Sequence, residues 1–267
     1  MVTTSPTPPP VTYTVADDLS PEDLRAALVA GWRDFVAHPK FGLFFGAIFA
    51  FGGIALFFIL TNRSGITWLI PVIAGFPLIA PFVAVGLYEV SRRRELGLPM
   101  GWSKILGALR GHGDEQIISM GVIIFVAFSF WVIIAHLVFS VFAAQYGSGA
   151  ESIDFFFTAT GLTMLGVGSV IGAIIAFVFY AITVMSLPML IDREVDFLTA
   201  IFVSLRAIKH NTFILCVWAF VIAMLLAIAM VPGFLGLFVA LPVLGHATWH
   251  LYRRTVTPIE AVSSPYV

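Results

Sequence analysis

The sequence predicts an all-α, polytopic membrane protein with six transmembrane helices. Hydrophobic residues make up 60% of the chain and charged residues only 11%, whereas soluble domains contain about 25% charged residues. The apolar residues are concentrated in stretches that are each close to the roughly 20 residues needed to cross a hydrocarbon core. These stretches are Phe41–Leu60, Ile66–Val90, Ile117–Phe142, Leu162–Ile191, Phe213–Val231 and Gly233–Tyr252.

The basic residues predict the orientation of these helices. The chain contains 14 Lys and Arg residues, and all except Arg63 precede the first stretch or follow the second, fourth or sixth. Lys and Arg in short loops keep those loops on the cytoplasmic side of the membrane. Both termini are therefore expected to lie in the cytoplasm.

Composition divides the chain into a membrane domain and two tails. Residues 1–19 are polar and proline-rich, which predicts a disordered cytoplasmic tail. Ser20 is a favourable N-cap, and Pro21 suits the first helical position, with acidic residues following in the first turn. The six-helix domain is expected to span residues 20–255, and residues 256–267 are expected to form a second disordered tail.

Three short amphipathic helices are predicted on the cytoplasmic side, and each precedes an odd-numbered transmembrane helix. Apolar residues recur at helical spacing on one face of each, with charged residues elsewhere. The apolar stripes are Leu24, Leu28, Trp32 and Phe35; Trp102, Ile105, Leu106 and Leu109; and Phe197, Ile201, Leu205 and Ile208. The chain is therefore predicted to contain three repeats of an interfacial amphipathic helix followed by a transmembrane hairpin.

Small residues and prolines indicate which faces of the transmembrane helices pack together. The small residues at helical spacing are Gly42, Gly46 and Ala50 in the first stretch, and Gly168, Gly172 and Ala176 in the fourth. Such faces allow close approach, so they are expected to pack within the bundle or against another subunit. The even-numbered helices contain Pro81, Pro188 and Pro242. Because a proline frees a carbonyl that lipid cannot satisfy, these helices are expected to line the bundle interior.

Four ionisable residues near the cytoplasmic ends of the even-numbered helices are the candidate functional residues. They are Glu89, Asp192, His246 and His250. Placing an ionisable group inside a bilayer costs free energy, so each such residue is expected to have a polar partner or a functional role. They are candidates for a ligand pocket or an ion or proton pathway. The alternative is structural: Glu89 pairs with Arg92 or Arg93, Asp192 pairs with Arg193 or a neighbouring loop, and a histidine bonds to a backbone carbonyl freed by Pro242.

The sequence predicts neither a cofactor nor an enzymatic activity. His246 and His250 are spaced i, i+4 and share a helix face, but a metal site needs further ligands that the spacing does not supply. Cys216 is the single cysteine, which excludes an intramolecular disulfide and a thiolate cluster. No phosphate-binding loop, nucleophile elbow or zinc protease motif is present. A net charge of −1 gives no indication of nucleic acid binding.

Several long strings resemble a bacterial family of integral membrane proteins, domain of unknown function 2189. They are GWRDF (31–35), PLIAPFVAVGLYEVSRRRE (77–95), SLPMLIDREVD (186–196) and LPVLGHATWHLYRR (241–254). The resemblance implies a multi-pass protein of the bacterial inner membrane, and the family has no established activity. Some members are labelled as cytochrome c oxidase proteins. This chain has fewer spans and membrane histidines than an oxidase catalytic subunit, so an oxidase link implies an accessory role.

Three functional hypotheses follow. The first is an accessory, assembly or scaffold protein of a membrane complex, including a respiratory oxidase, whose partners are the lipid bilayer and other subunits. The second is a small transporter or channel with a proton or ion path through the even-numbered helices. The third is a haem or metal binder.

Overall fold

The computed structural model describes residues 13–61, 83–108, 114–146 and 153–258. The chain is mostly helical, as predicted. In chain order the elements are β1 (Tyr13–Val15), α1 (Pro21–Ala37), α2 (Pro39–Thr61), α3 (83–95), α4 (Trp102–Gly107), α5 (Asp114–Tyr146), a 3-10 helix (Ile153–Phe157), α6 (Ala159–Thr183), α7 (Ser186–Asp192), α8 (Phe197–His210), α9 (Thr212–Met230), α10 (Leu237–Thr255) and β2 (Val256–Pro258).

Four helices in the described residues are long and apolar enough to cross a membrane. They comprise Pro39–Phe58, Glu115–Phe142, Ala159–Asp192 and Thr212–Met230. Each coincides with a predicted apolar stretch, namely the first, third, fourth and fifth. The longest of them joins α6 and α7 across a turn at residues 184–185.

The second and sixth predicted stretches differ from these four. Most of Ile66–Val90, including Pro81, falls in residues 62–82, which lie outside the described residues. The sixth stretch forms α10, which is not among the four apolar helices. Its C-terminal half contains His246 and His250, and this polar half is buried against other parts of the protein.

Helices α1 and α2 pack one after the other along α10, and α1 runs antiparallel to it. Arg254 of α10 donates to Asp23 in the first turn of α1 at 3.0 Å. Further along, a Cβ atom on Gly31 would lie 2.6 Å from the backbone nitrogen of Ala247. Gly46 of α2 lies against the α10 backbone in the same way. Because glycine has no side chain, the helix backbones touch at these positions. The small-residue face of the first apolar stretch therefore packs within the bundle.

The face of α1 that packs within the protein differs from the apolar stripe noted in its sequence. Leu24 and Phe35 of that stripe are buried, whereas Trp32 is 50% exposed. Ala27 and Gly31 occupy the central buried positions instead. Because α10 approaches α1 so closely, only small residues fit between the two helices, and the large indole stays outside.

The buried face of α8 also differs from the apolar stripe noted in its sequence. Leu205 of the predicted stripe is 40% exposed, whereas Ile208 is buried. The full set of buried residues on α8 is Ala200, Val203, Ser204, Ala207 and Ile208. Ser204 donates to the Ala181 carbonyl at 2.7 Å and accepts from the Met185 amide at 3.2 Å. Hydrogen bonds therefore help to select this face, and hydrophobic periodicity does not detect them.

The short helix α4 has both buried and exposed apolar residues. Ile105 is fully buried, while Trp102 and Leu106 are 39% and 42% exposed. Leu109, the last residue of the predicted stripe, lies outside the described residues. Of the described residues in the predicted apolar stripe of α4, only Ile105 is therefore buried against the rest of the protein.

A two-stranded ribbon lies where the sequence predicted disordered tails. β1 pairs antiparallel with β2, so that Val15 faces Val256. The folded domain therefore extends beyond the predicted range of residues 20–255, because it includes β1, which begins at Tyr13, and β2, which ends at Pro258. Strands of this length are too short to show an alternating pattern in the sequence. Residues 1–12 and 259–267 lie outside the described residues.

The chain between β1 and α1 is held by a side chain distant in sequence. Asn211, at the junction of α8 and α9, accepts from the Leu19 amide at 3.1 Å and donates to the Ala16 carbonyl at 2.6 Å. Ser20 caps α1 as predicted, because its hydroxyl accepts from the Asp23 amide and the Asp23 carboxylate accepts from the Ser20 amide. This reciprocal capping box fixes where α1 begins.

The main hydrophobic core lies where α1, α7, α8, α9 and α10 meet. Its largest fully buried side chains include Trp218, Trp249, Tyr252, Met185, Met189, Leu215 and Leu251. Helices α5 and α6 form a hairpin beside this core. In that hairpin a Cβ atom on Gly172 would lie 2.9 Å from the Trp131 ring, so the second small-residue face also packs within the chain.

We predict that Gly31→Ala destabilises the protein. The new methyl group would overlap the α10 backbone, which cannot move as a flexible side chain can, and overpacking of this kind costs about 1–3 kcal/mol. The thermal unfolding midpoint in detergent measures the effect. The matched control is Gly166→Ala in α6, where nothing lies within 4 Å of the new Cβ, and where Ala is expected to stabilise the helix by up to about 1 kcal/mol. Equal midpoints for the two variants would contradict the close helix contact.

Candidate functional site

The ionisable residues of the helical bundle gather where α3, α7 and α10 end, a region we term the basic end. Its defining residues are Arg92, Arg93, Arg94, Arg193, Arg253 and Arg254. All four predicted candidates lie here, but the structure separates them. His246 and His250 form a cluster with Asp34, whereas Glu89 and Asp192 line a pocket.

Asp34 is the buried centre of the first cluster. It lies on α1 and is only 1% exposed. Its carboxylate forms an ion pair with Arg94 of α3 and accepts a hydrogen bond from His250 Nε2 of α10 at 2.8 Å. Three helices therefore meet at one carboxylate, and a buried charge of this kind is tolerated because it is paired.

The surroundings of Asp34 keep it ionised. Burial alone would raise the pKa of this carboxyl. Hydrogen bonds from His250, Ser91 and Arg94, together with the charge of His250, outweigh burial and lower the pKa to about 2. Because an ionised carboxylate only accepts hydrogen bonds, the shared proton is assigned to His250 Nε2. The stability from these contacts is fully present above the ordinary Asp pKa of about 4 and is lost as pH falls through about 2.

His246 extends the cluster into the protein interior. It is completely buried, and its Nδ1 shares a hydrogen bond of 2.8 Å with the Ser91 hydroxyl. Ser91 is also completely buried and lies beside Asp34. No described residue provides a hydrogen-bond partner for His246 Nε2. His246, Ser91, Asp34 and His250 thus form a polar chain from a fully buried ring to one that is partly exposed.

Glu89 is held by arginines of its own helix. Its carboxylate lies 2.7 Å from Arg93 Nε and 3.4 Å from Arg92 Nη1. These residues are four and three positions further along α3, where side chains of one helix face meet. The pairing predicted as the structural alternative for Glu89 is therefore confirmed.

Asp192 connects the ends of α7 and α10. Its Oδ2 accepts from Arg193 Nε at 3.0 Å, from Arg253 Nη1 at 3.0 Å and from the Tyr252 hydroxyl at 2.9 Å. The pairing with Arg193 was predicted, and the two contacts with α10 were not. Arg253 also donates to Glu95 of α3 at 3.1 Å, so the network joins three helices.

A pocket of about 540 Å³ opens beside these two acids. It lies between α3, α4, the start of α5 and the end of α7. The residues that line it include Glu89, Arg92, Arg93, Ser103, Lys104, Gly107, Ala108, Ile117, Leu190, Ile191, Asp192, Arg193 and Glu194. Most of its polar side chains are charged, and its lining also contains the apolar residues Ala108, Ile117, Leu190 and Ile191. Such a pocket can accept a ligand with a charged group and an apolar portion.

The described residues bring no three His, Cys, Asp or Glu side chains together in a metal-binding arrangement. His246 Nδ1 hydrogen-bonds to Ser91 of α3, and His250 Nε2 hydrogen-bonds to Asp34 of α1. Cys216 is exposed on α9.

Asp34, Ser91 and Glu95 belong to the network but were not singled out from the sequence. Asp34 falls on the polar side of an amphipathic pattern, where a carboxylate is ordinarily solvated. The one sequence feature that could have indicated its burial is its spacing from Gly31. Residues i and i+3 share a helix face, and Gly31 permits another helix to pack closely on that face. No comparable signal marks Ser91.

Comparison with known proteins supports the membrane assignment. No curated protein and no solved structure matches the chain. Residues 69–192 match the model of a family described as "Predicted integral membrane protein (DUF2189)". The match covers α3 to α7, with Glu89, Asp192 and all pocket residues except Arg193 and Glu194, while Asp34 and α10 lie outside it. The resemblance noted from the sequence is confirmed over this segment, so this part of the chain is similar to that family of predicted integral membrane proteins.

Proposed function

We propose that this protein is a non-enzymatic accessory, assembly or scaffold component of a membrane complex in the bacterial inner membrane. A respiratory oxidase is one such complex. In this proposal the chain crosses the membrane six times, in three repeats of amphipathic helix and hairpin. Both termini and the basic end lie in the cytoplasm, because the Lys and Arg residues flank alternate stretches.

The observation that carries the proposal is the exposure of the α5–α6 hairpin. Only 17% of the apolar window in Glu115–Phe142 and 28% of that in Ala159–Asp192 is buried inside the protein. The hairpin meets the rest of the chain mainly through α7 and α8, and Tyr180 of α6 donates to the Leu215 carbonyl of α9 at 2.9 Å. Much of the surface of this long helix pair is therefore available to lipid or to the helices of another subunit.

Apolar grooves on the surface of the hairpin support this proposal. Two grooves of about 260 and 330 Å³ lie along it, and their walls are almost entirely apolar. These grooves are lined by both large and small residues, including Phe130, Trp131, Gly168 and Gly172. Helix association in lipid depends on such packing, since the bilayer removes the hydrophobic driving force between helices.

The basic end supplies the rigid part of a scaffold. Asp34 and Asp192 each join side chains from several helices, and Asn211 fastens the chain before α1 to the α8–α9 junction. Buried charge networks are strongly destabilised when one partner is removed, so they hold the helix ends in one arrangement. A fixed platform with a projecting hairpin suits an assembly role.

A proton path is a second candidate function, and one observation favours it. The chain of His246, Ser91, Asp34 and His250 links a fully buried imidazole to a partly exposed one through hydrogen-bonding groups. Chains of Asp, Glu and His within membrane proteins are typical of proton relays.

The accessory function predicts specific crosslinks from the hairpin. A photoreactive residue at Leu137, which is 60% exposed on α5, should give discrete protein adducts in native membranes because a partner helix lies against this face. The matched control is Phe220, which is 65% exposed on α9. Gentle purification and mass spectrometry identify the partner, and respiratory subunits would indicate the oxidase link. Lipid adducts alone at Leu137, or the same protein adducts at both sites, would contradict the proposal.

The orientation of the chain is testable with reporter fusions. A reporter placed after Val267 should remain cytoplasmic, and one inserted between Gly147 and Ser148 should be exported, because positive flanks stay inside. A pair of reporters active in opposite compartments measures both positions. Export of the C-terminal reporter would show that the six-span arrangement is incorrect.

The proton path predicts a selective loss of flux in Asp34→Asn. The amide cannot take up and release a proton, so proton flux in proteoliposomes should fall by about tenfold or more, as for removal of a general acid or base. Glu22→Gln, which neutralises an exposed acid on the same helix, should leave flux unchanged. His246→Gln provides a second variant that retains the Asp34–Arg94 ion pair. Normal flux in both site variants, or none in the wild type, excludes the relay.

A further inference from the structure

The pocket at the basic end lies where two membrane-spanning segments reach the same side. The span Glu115–Phe142 begins beside it with Ile117 in the wall, and the span Ala159–Asp192 ends in it. The polar rim is thus level with the helix ends, where lipid headgroups are found. The neighbouring helix α4 exposes Trp102 and Leu106, an aromatic and apolar pair suited to a membrane interface.

The acidic residues of the pocket are largely neutralised within the protein. Glu89 is paired with Arg93 and Arg92. Asp192 accepts three hydrogen bonds, two of them from arginines. Glu194 is exposed at the rim. Neither buried carboxylate therefore needs a cation from solution.

The basic residues of the pocket, in contrast, retain unused hydrogen-bond donors. Arg92 directs only Nη1 at Glu89, at 3.4 Å, and Arg193 directs only Nε at Asp192, at 3.0 Å. Their remaining guanidinium nitrogens have no bond to another described residue. Lys104 has no ion pair within the described part of the chain. Several positively charged side chains thus line one pocket with donors left over, and Glu194 at the rim is the one acidic lining residue that forms no ion pair in the described part of the chain.

We infer that this pocket binds the phosphate group of an anionic ligand. Phosphate oxygens accept strong charge-assisted hydrogen bonds, and guanidinium groups match their geometry. The apolar wall, formed by Ala108, Ile117, Leu190 and Ile191, would contact the non-polar part of the ligand. The phosphate can belong to an anionic lipid headgroup or to a soluble compound. This binding site does not depend on the accessory function.

Binding is measured on the purified full-length protein in an uncharged detergent, with the thermal unfolding midpoint as readout. The probes are short-chain phosphatidylglycerol, short-chain phosphatidylcholine and inorganic phosphate. A ligand that binds only the folded state raises the midpoint with concentration. A rise with phosphatidylglycerol but not with inorganic phosphate identifies a lipid headgroup site. A rise with inorganic phosphate as well identifies a site for soluble phosphate compounds.

The variant K104Q/R193Q tests whether the rise comes from this pocket. It removes two cations while Asp192 keeps its contacts with Arg253 and Tyr252. The half-maximal probe concentration should increase by about tenfold because charge-assisted bonds are lost. The control R206Q/K209Q removes the same charge from exposed residues of α8 and should match the wild type.

Three results would overturn the inference. One is the absence of any midpoint rise in the wild-type protein. Another is an equal loss of binding in both double variants, which would indicate a general effect of charge. The last is an equal response to phosphatidylcholine and phosphatidylglycerol with no response to phosphate, which would indicate acyl-chain binding alone.

Discussion

The contact between the backbones of α1 and α10 at Gly31 is the constraint on which the polar part of this protein depends. Because no side chain separates the two helices there, Asp34, one turn further along α1, comes within hydrogen-bond distance of His250. A carboxylate placed so deeply must be compensated. Arg94 of α3 supplies the compensation, so the end of a third helix lies against the contact between the other two.

The same physical requirement organises the rest of the basic end. Asp192 at the end of α7 accepts hydrogen bonds from Tyr252 and Arg253 of α10. Glu95 at the end of α3 accepts from Arg253 and Trp249 of the same helix. Asp192 and Glu95 are each paired with arginine by these contacts, while Lys104 beside the pocket has no ion pair within the described residues. The proposed assembly role and the proposed anion site therefore both rest on this one distribution of charge. The α5–α6 hairpin, which has no such network along its length, is held mainly beside this end.

Several features were predictable because they depend on local sequence. The pairing of Glu89 with Arg92 and Arg93 follows from their spacing on one helix, and the start of α1 follows from the capping residues around Ser20. The buried faces of α1 and α8 were less predictable. Trp32 and Leu205 carry the hydrophobicity of their stripes, yet the neighbouring helices approach the small residues instead. Hydrophobic periodicity ranks side chains by apolarity and does not register the fit between helix backbones.

The sequence by itself determined that the chain belongs in a membrane, where four of its spanning helices lie and which end of the bundle is basic. These properties follow from composition and from contacts within a few residues. Only the tertiary structure decided which polar groups meet. His250 and Asp34 are 216 positions apart, and Tyr252 and Asp192 are 60 positions apart. Their pairing requires helices to approach in one register, and that register is set by packing across the whole bundle, which no local pattern contains.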